Sequence, residues 1–324
     1  MVSRKVQKAM PSKLPTIISK TKPTLTSAEY QQLADVPPEL EWFANIDNQK
    51  TRRAYKIDIE DFTSFMGIHS PEAMRTVTRA HVLAWRKKLE TQASSPATIR
   101  RKLSALSSLF DHLCERNAVT HNPVKGVKRP KSNSNEGTTP AISDAEARHL
   151  LERPDPETLK GKRDRAILAT LLYHGIRREE LCTLRVKDLE NRKGVPHLRI
   201  FGKGSKIRFL PAHPVAGRLI VEYLEMAGHG DNQDGPLFRP VRNNRSKVLE
   251  KALHPNAVYE NVVRKYGGIG VHSLRATAAT NALDHQADIA KVQEWLGHAN
   301  ISTTRFYDRR KSRPEDSPTF RVRY

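Results

Sequence analysis

Apolar positions recur with a helical period through most of the chain. Tyr55, Ile59, Phe62 and Phe65/Met66 return every three or four residues, as one face of an amphipathic helix does. Ser70-Pro71 opens a short turn, with Ser at the N-cap and Pro at the first helical position. Val82, Leu83, Trp85 and Leu89 mark a second helix, and a third starts at Ser95-Pro96. That third helix stripes Ile99, Leu103, Leu106, Phe110 and Leu113 along one side. Residues 40–124 therefore read as an all-helical unit with a core of its own.

The period breaks in HNPVKGVKRPKSNSNEGTTP, residues 121–140, whose Pro, Gly, Ser and Asn content is that of a linker. A second unit opens at Ser143 with Glu146 three residues on, a capping-box pattern. The helix RDRAILATLLYHG ends at Gly175, a residue suited to the position after a helix C-terminus. Two short strands at 197–201 and 206–210 then flank GKGS, which signals a hairpin. Further helices are predicted at 214–226, 255–266, 273–283 and 289–296, and the last stretch reads as a short Ser-capped helix carrying Tyr307. There is no internal repeat. The expected fold is mainly α with a small β-sheet or hairpin in the C-terminal half. Its boundaries fall at 1–38 for a flexible arm, 39–125 for the first domain, 126–140 for the linker, 141–307 for the second domain and 308–324 for a tail.

Length and composition support this division. A chain of 324 residues is long enough for two cores, and 37% hydrophobic with 28% charged residues describes a globular protein. No apolar run approaches the roughly 20 residues of a membrane span, and no signal-peptide core opens the chain. A cytoplasmic, nucleoid-associated protein without a membrane partner is expected. Cys114 and Cys182 fall at apolar positions of predicted helices and read as reduced thiols.

Charge changes the picture most. Lys plus Arg exceed Asp plus Glu by 56 − 35 = +21, which makes a polyanion the favoured partner, since each neutralised phosphate releases counterions. An acidic protein or an anionic membrane surface is the alternative, but no basic helix with an aromatic apolar face stands out. The arm holds Arg4, Lys5, Lys8, Lys13, Lys20 and Lys22 before its first acid, Glu29. Arg100, Arg101 and Lys102 open the third helix, where they suit a solvated face or a DNA contact equally. Lys125, Lys128 and Arg129 give the linker region a charge that can follow a phosphate backbone.

Four separated stretches hold candidate chemistry: HGIRREEL at 174–181, FGKGSKIRFLP at 201–211, VHSLR at 271–275 and LGHANISTTRFYDRR at 296–310. Each alone is weak. A lysine at a hairpin tip is ordinarily a surface residue, Arg177 competes with Arg178, and Tyr307 is one of 8 tyrosines. His272, His285 and His298 lack a metal-ligand spacing, and no GxxxxGK[ST] phosphate loop occurs. Taken jointly, G-[LI]-R-x-x-E-L, G-K-G-x-K, H-x-L-R and L-G-H-x-x-x-x-T-T-x-x-Y occur in one order. In this the chain resembles the tyrosine recombinases of the phage-integrase family, and is most similar to Xer-type and mobile-element integrases, from about residue 40 to the end.

The resemblance implies a two-domain C-clamp, with a helical SAM-like core-binding domain and an α+β catalytic domain. It implies site-specific DNA strand exchange through a 3′-phosphotyrosine and a Holliday junction, with no cofactor and no metal. Tyr307 would be the nucleophile. Its phenol, with an ordinary pKa of about 10, must shed a proton during attack. His272 would be general base, Arg177 and Arg275 would clamp the non-bridging phosphate oxygens, and Lys203 would protonate the departing 5′ oxygen. His298 would add a phosphate hydrogen bond, and Glu180 would support Arg177 or His272 from behind. Double-stranded DNA is the implied partner, bound by a homodimer on one site and a tetramer in the synapse, with an accessory or partner recombinase as a further option. Two rival activities share features with this reading: type IB topoisomerase-like relaxation, and DNA binding without catalysis. Ala276 stands where many relatives carry His after H-x-L-R, and the Pro-rich arm is too short for an additional arm-binding domain. In the tail, Phe320, Val322 and Tyr324 alternate with arginines as a short strand, expected to dock on a neighbouring subunit.

Overall fold

A computed structural model describes residues 36–131, 139–202, 206–242 and 247–308, together with 319 and 322. Residues 1–35 of the arm expected over 1–38, most of the tail and Lys203 lie outside the described residues, and Pro38 already belongs to the first helix. The chain divides into two compact units, Met1–Asn133 and Ser134–Tyr324.

The first unit holds α1 (Pro38–Ala44), α2 (Gln49–Met66), α3 (Pro71–Arg75), α4 (Arg79–Thr91) and α5 (Pro96–Glu115). The predicted caps are in place: Ser70 accepts from the Ala73 N–H and Ser95 from the Thr98 N–H. Phe62, Val82, Trp85, Leu103, Leu106, Phe110 and Leu113 are fully buried, and the Phe62 and Trp85 rings meet edge-on at 5.0 Å. Two apolar positions of the predicted stripes face outward instead. Phe65 is 38% and Leu83 43% exposed, and the Lys88 ammonium lies 4.7 Å over the Phe65 ring.

The second unit starts with α6 (Asp144–Glu152), where Ser143 and Glu146 form the predicted reciprocal cap. The next helix, α7 (Leu159–His174), is buried on all sides from Ala166 to Leu172 and is the hydrophobic axis of the unit. Gly175 ends it at φ +56°, and a Cβ there would meet Leu296 Cδ2 at 2.9 Å. After α8 (Arg178–Thr183) comes an antiparallel sheet of β1 (Leu189–Arg192), β2 (Val195–Phe201) and β3 (Ile207–Pro211), in that order. The registers Leu189↔Leu198 and Leu198↔Leu210 turn one leucine of each strand to the core. The sequence signals only β2 and β3. The LENR of β1 has a single apolar residue and offers no alternation to read.

The rest is α9 (Pro214–Ala227), a minimal hairpin of β4 (Val241–Arg242) and β5 (Lys247–Val248), and α10 (Pro255–Val258), which runs through a π-helical turn, Tyr259–Arg264, into α11 (Lys265–Gly267). Then follow α12 (Val271–Asp284), α13 (Ile289–Leu296) and α14 (Ile301–Arg305). The final helix corrects the sequence reading: its N-cap is Asn300, which accepts from the Ser302 N–H at 2.9 Å, and Tyr307 lies just beyond its C-terminus. Asn is as strong a cap as Ser, so the pattern ANIST held two candidates and the first one won. α7 packs against α9 and α12, which carries the α12 N-terminus to the end of α7. No described helix is long and apolar enough to cross a membrane. Neither cysteine is in a disulfide.

Candidate active site

Three helix termini meet at the start of α12. Arg275, 2% exposed, donates from Nη1 to the Gly175 carbonyl and from Nη2 to the Leu296 carbonyl at 2.6 Å. Both carbonyls belong to the ends of helices, α7 and α13, where no backbone N–H remains to bond them. One guanidinium thus ties the two C-termini together, and it is well suited to their negative dipole ends. Its Nε is buried without a hydrogen-bond partner, a donor left in reserve. Burial, then the nearby Arg177 charge, lowers the Arg275 pKa to about 10.

Arg275 Nη2 also donates to His298 Nε2 at 2.9 Å. A guanidinium only donates, so Nε2 bears the lone pair and the ring proton is on Nδ1, directed at Thr304 Oγ1 at 2.9 Å. Burial and the charges of Arg275 and Arg177 push the His298 pKa down to about 4, which keeps the ring neutral. Tyr307 stacks against this ring, centroid to centroid 5.9 Å, and is 5% exposed. Its N–H donates to the Thr304 carbonyl at 2.9 Å and its carbonyl accepts from Thr280 Oγ1 at 3.1 Å. The backbone of Tyr307 is therefore held from both sides, and its hydroxyl lies 3.2 Å from His272 Nε2. His272 titrates below the ordinary histidine value, through burial first and then the Arg275 and Arg177 charges.

Arg177 caps α8. Its N–H donates to Glu180 Oε2 at 2.7 Å and its Nη1 to Oε1 at 2.9 Å, while Nη2 reaches the Gly297 carbonyl at 3.4 Å. Arg178 turns instead to Glu179 at 3.3 Å. Glu180, 5% exposed, also receives Arg208 Nη1 at 3.1 Å and Nη2 at 2.8 Å. Burial pushes its carboxyl up, but the bonds from Arg208 and Arg177 outweigh it and hold it below the ordinary value. Arg177, His272 and Arg275 line one cleft of about 420 Å³ with Tyr259 and Arg178. Five of the sequence-singled residues, Arg177, Glu180, His272, Arg275 and His298, thus assemble around Tyr307. Lys203 lies outside the described residues, although its hairpin is closed by the Gly202 N–H donating to the Lys206 carbonyl at 2.7 Å.

Two residues of this arrangement went unread in the sequence, Arg208 and Thr304. Arg208 had a signal: in IRFLP it takes the core-facing phase of the strand with Leu210, while Ile207 and Phe209 face outward. Thr304 had one too, as the second threonine of L-G-H-x-x-x-x-T-T-x-x-Y, but the motif does not say that its hydroxyl meets the ring of His298.

The basic candidates of the first unit are variously engaged. Arg100 is exposed. Arg101 is paired with Asp58, and Lys102 with Asp61 at 2.8 Å. Lys125 approaches Asp111 at 3.5 Å, Arg129 Nη1 donates to Ser104 Oγ at 2.7 Å, and the Lys128 carbonyl accepts from Arg86 at 2.9 Å.

Comparison with known proteins agrees with this geometry. The profile of the Phage integrase family matches residues 141–313, and that of the Phage integrase N-terminal SAM-like domain matches residues 47–117. Tyrosine recombinase XerC of Pelobacter propionicus is 34% identical over 265 residues, 79% of this chain and 83% of that protein. Tyrosine recombinase XerD of Pseudomonas putida is 30% identical over 272 residues, 82% of this chain and 88% of that protein. Among solved structures, XerH recombinase in a post-cleavage complex with difH substrate superposes with TM-score 0.63 at 22% identity, covering 79% of this chain and 75% of that one. A lambda integrase fragment, solved as a dimer on a core site, gives 0.64 at 18%, covering 86% and 96%. At these identities the structural likeness is one of fold. Because both profiles match in chain order and the two curated relatives span most of the chain, the protein belongs to the phage integrase family and is a tyrosine-type site-specific recombinase.

Proposed function

We propose that this chain cuts and rejoins double-stranded DNA through a 3′-phosphotyrosine on Tyr307, exchanging strands between two short sites by way of a Holliday junction. The observation that carries the reading is the Tyr307 hydroxyl, 3.2 Å from His272 Nε2 beside two arginines. His272 is neutral at pH 7 and takes the phenolic proton as the tyrosine oxygen bonds to phosphorus. The P–O5′ bond breaks, and Lys203 gives a proton to the leaving oxygen. Arg177 and the unpartnered Nε of Arg275 hold the non-bridging oxygens, and His298 adds a donor. The energy of the broken ester is kept in the phosphotyrosine, so a 5′-hydroxyl of the partner strand reverses the step and rejoins DNA.

The first unit, with Arg100, Arg101, Lys102, Lys125, Lys128 and Arg129, is the complementary DNA-binding half, joined through the 126–140 linker. Residues 308–324 dock on a neighbouring protomer in a dimer on one site and a tetramer in the synapse. Lambda integrase has been solved both as a dimer on a core site and as a tetramer on a Holliday junction, which supports the same assembly here. DNA as substrate places the work at the nucleoid.

The test uses a duplex nicked beside the cleavage position, so that the cut end diffuses away and the covalent adduct accumulates. With EDTA present, the adduct is expected in the parent chain and absent in Tyr307→Phe. An adduct that persists in Tyr307→Phe overturns the assignment.

A further inference from the structure

The geometry points to Arg208 as a positioning residue of this site: its guanidinium shares Glu180 and thereby limits Arg177 to one side-chain bond with that carboxylate, so that Arg177 is not captured whole and can bind phosphate. The inference rests on Arg177 being a phosphate ligand, as proposed above. A long cationic side chain on the core phase of a strand is costly unless it is paired. Arg208 is paired through all three of its nitrogens, with the two terminal ones on the two Glu180 oxygens at 3.1 and 2.8 Å and its Nε on the Trp295 carbonyl at 3.2 Å. With the Arg177 N–H and Nη1, Glu180 accepts four hydrogen bonds, about the capacity of a carboxylate. Arg177 consequently lends Glu180 one side-chain nitrogen, not its whole fork. Without Arg208, a buried carboxylate would face one guanidinium alone and close on it bidentately. The arginine meant for the phosphate would then be held in an internal ion pair.

Two glycines show how tightly this side chain is housed. A Cβ on Gly202 would lie 3.3 Å from Arg208 Nη1, and one on Gly297 would lie 3.1 Å from the same atom. Gly297, at φ +67°, is a glycine for its backbone as well, but Gly202 has no positive φ and its small size is explained by the close approach. These glycines precede Lys203 and His298 in the chain. The same guanidinium therefore packs against both glycines while it holds Glu180 behind Arg177.

The experiment compares adduct formation on the nicked duplex for Arg208→Gln in the parent and in a Glu180→Gln background. In the parent background the substitution is expected to slow adduct formation roughly 10- to 100-fold, the size of a lost charge-assisted bond, with DNA affinity little changed. In the Glu180→Gln background most of that loss should vanish, because no carboxylate remains to capture Arg177. A side chain that merely stabilises the fold would give the same slowing in both backgrounds. Equal slowing, or Arg208→Gln at the parental rate, overturns the proposal. Should Arg208→Gln fail to fold, Arg208→Lys, which keeps the charge but not the fork, carries the same comparison. Absence of any adduct in the parent chain overturns the reading beneath and this one with it, and is a different outcome from equal slowing.

Discussion

His298 Nε2 accepts a hydrogen bond from Arg275 across 2.9 Å, and the opposite ring nitrogen faces the hydroxyl of Thr304 at the same distance. The site at rest therefore holds His298 with its proton on Nδ1. A bond from His298 to a phosphate requires the proton on Nε2. Threonine suits this exchange because its hydroxyl accepts from one tautomer and donates to the other. Thr304→Ser keeps that hydroxyl and is expected to form adduct within about threefold of the parent rate. Thr304→Val keeps the shape and loses the hydroxyl, so roughly tenfold slower cleavage is expected, the worth of one hydrogen bond. Nitrogen chemical shifts of His298 report the tautomer directly. A parental adduct rate in Thr304→Val would separate Thr304 from the chemistry.

The pH dependence of cleavage should report His272. Its pKa stands below the ordinary value of 6.5, through burial and then the charges of Arg275 and Arg177, so the base form persists on acidification. Adduct formation is expected to hold steady as pH falls through 6.5 and to decline only below it, where the ring is protonated and no longer takes the phenolic proton. His272→Ala should slow the step and abolish that acid limb. A limb centred at or above 6.5 would mean that the ring is not under the charges that surround it here.

The two arginines proposed to clamp phosphate differ in what else they do, and their variants should differ accordingly. Arg177 has a side chain 35% exposed and spends one ion pair on Glu180. Arg177→Ala is expected to fold and bind DNA while cleaving about 100- to 1,000-fold more slowly, the range for a lost donor to a developing charge. Arg275 bonds the Gly175 and Leu296 carbonyls inside the protein. Arg275→Ala leaves both unpaired and should cost about 2 to 4 kcal/mol of stability as well as activity. Thermal melting next to adduct rates separates the two cases. Equal melting temperatures for parent and Arg275→Ala would remove the structural half of this assignment.

How far the sequence reached follows from what kind of signal each feature leaves. The stripe of α5 and the Ser caps of α3 and α5 are local, and they lie where periodicity and cap chemistry put them. His272 and Arg275 share α12 because three residues make a helical turn. Assembly of Arg177, His298 and Tyr307 around them was legible only through the joint motif pattern, since no local rule brings residue 177 to residue 298. Strand β1 left no signal because three of its four residues are polar and its pairing is supplied by β2. Arg208 did carry a phase signal in IRFLP, but an arginine in a strand is read as exposed and its partner Glu180 lies 28 residues earlier.

The basic run that opens α5 divides into residues with different duties, and this gives the last prediction. Asp58 is fully buried beneath it, and burial raises its pKa even though Arg101 and Lys102 act to lower it. Arg101 is the ion-pair partner of that carboxylate, so Arg101→Ala uncovers a buried charge or forces it to take up a proton. The first unit should lose stability, with the largest loss at neutral pH. As pH falls and Asp58 is protonated, the difference between Arg101→Ala and the parent should shrink, because the variant no longer strands a charge. Arg100 is exposed one position earlier, so Arg100→Ala should leave melting unchanged. If its charge is spent on DNA phosphate, the slope of log affinity against log salt should become shallower by about 1. Binding isotherms at several salt concentrations measure that slope, and an unchanged slope for Arg100→Ala would mean that this face of α5 is solvated and not a phosphate contact.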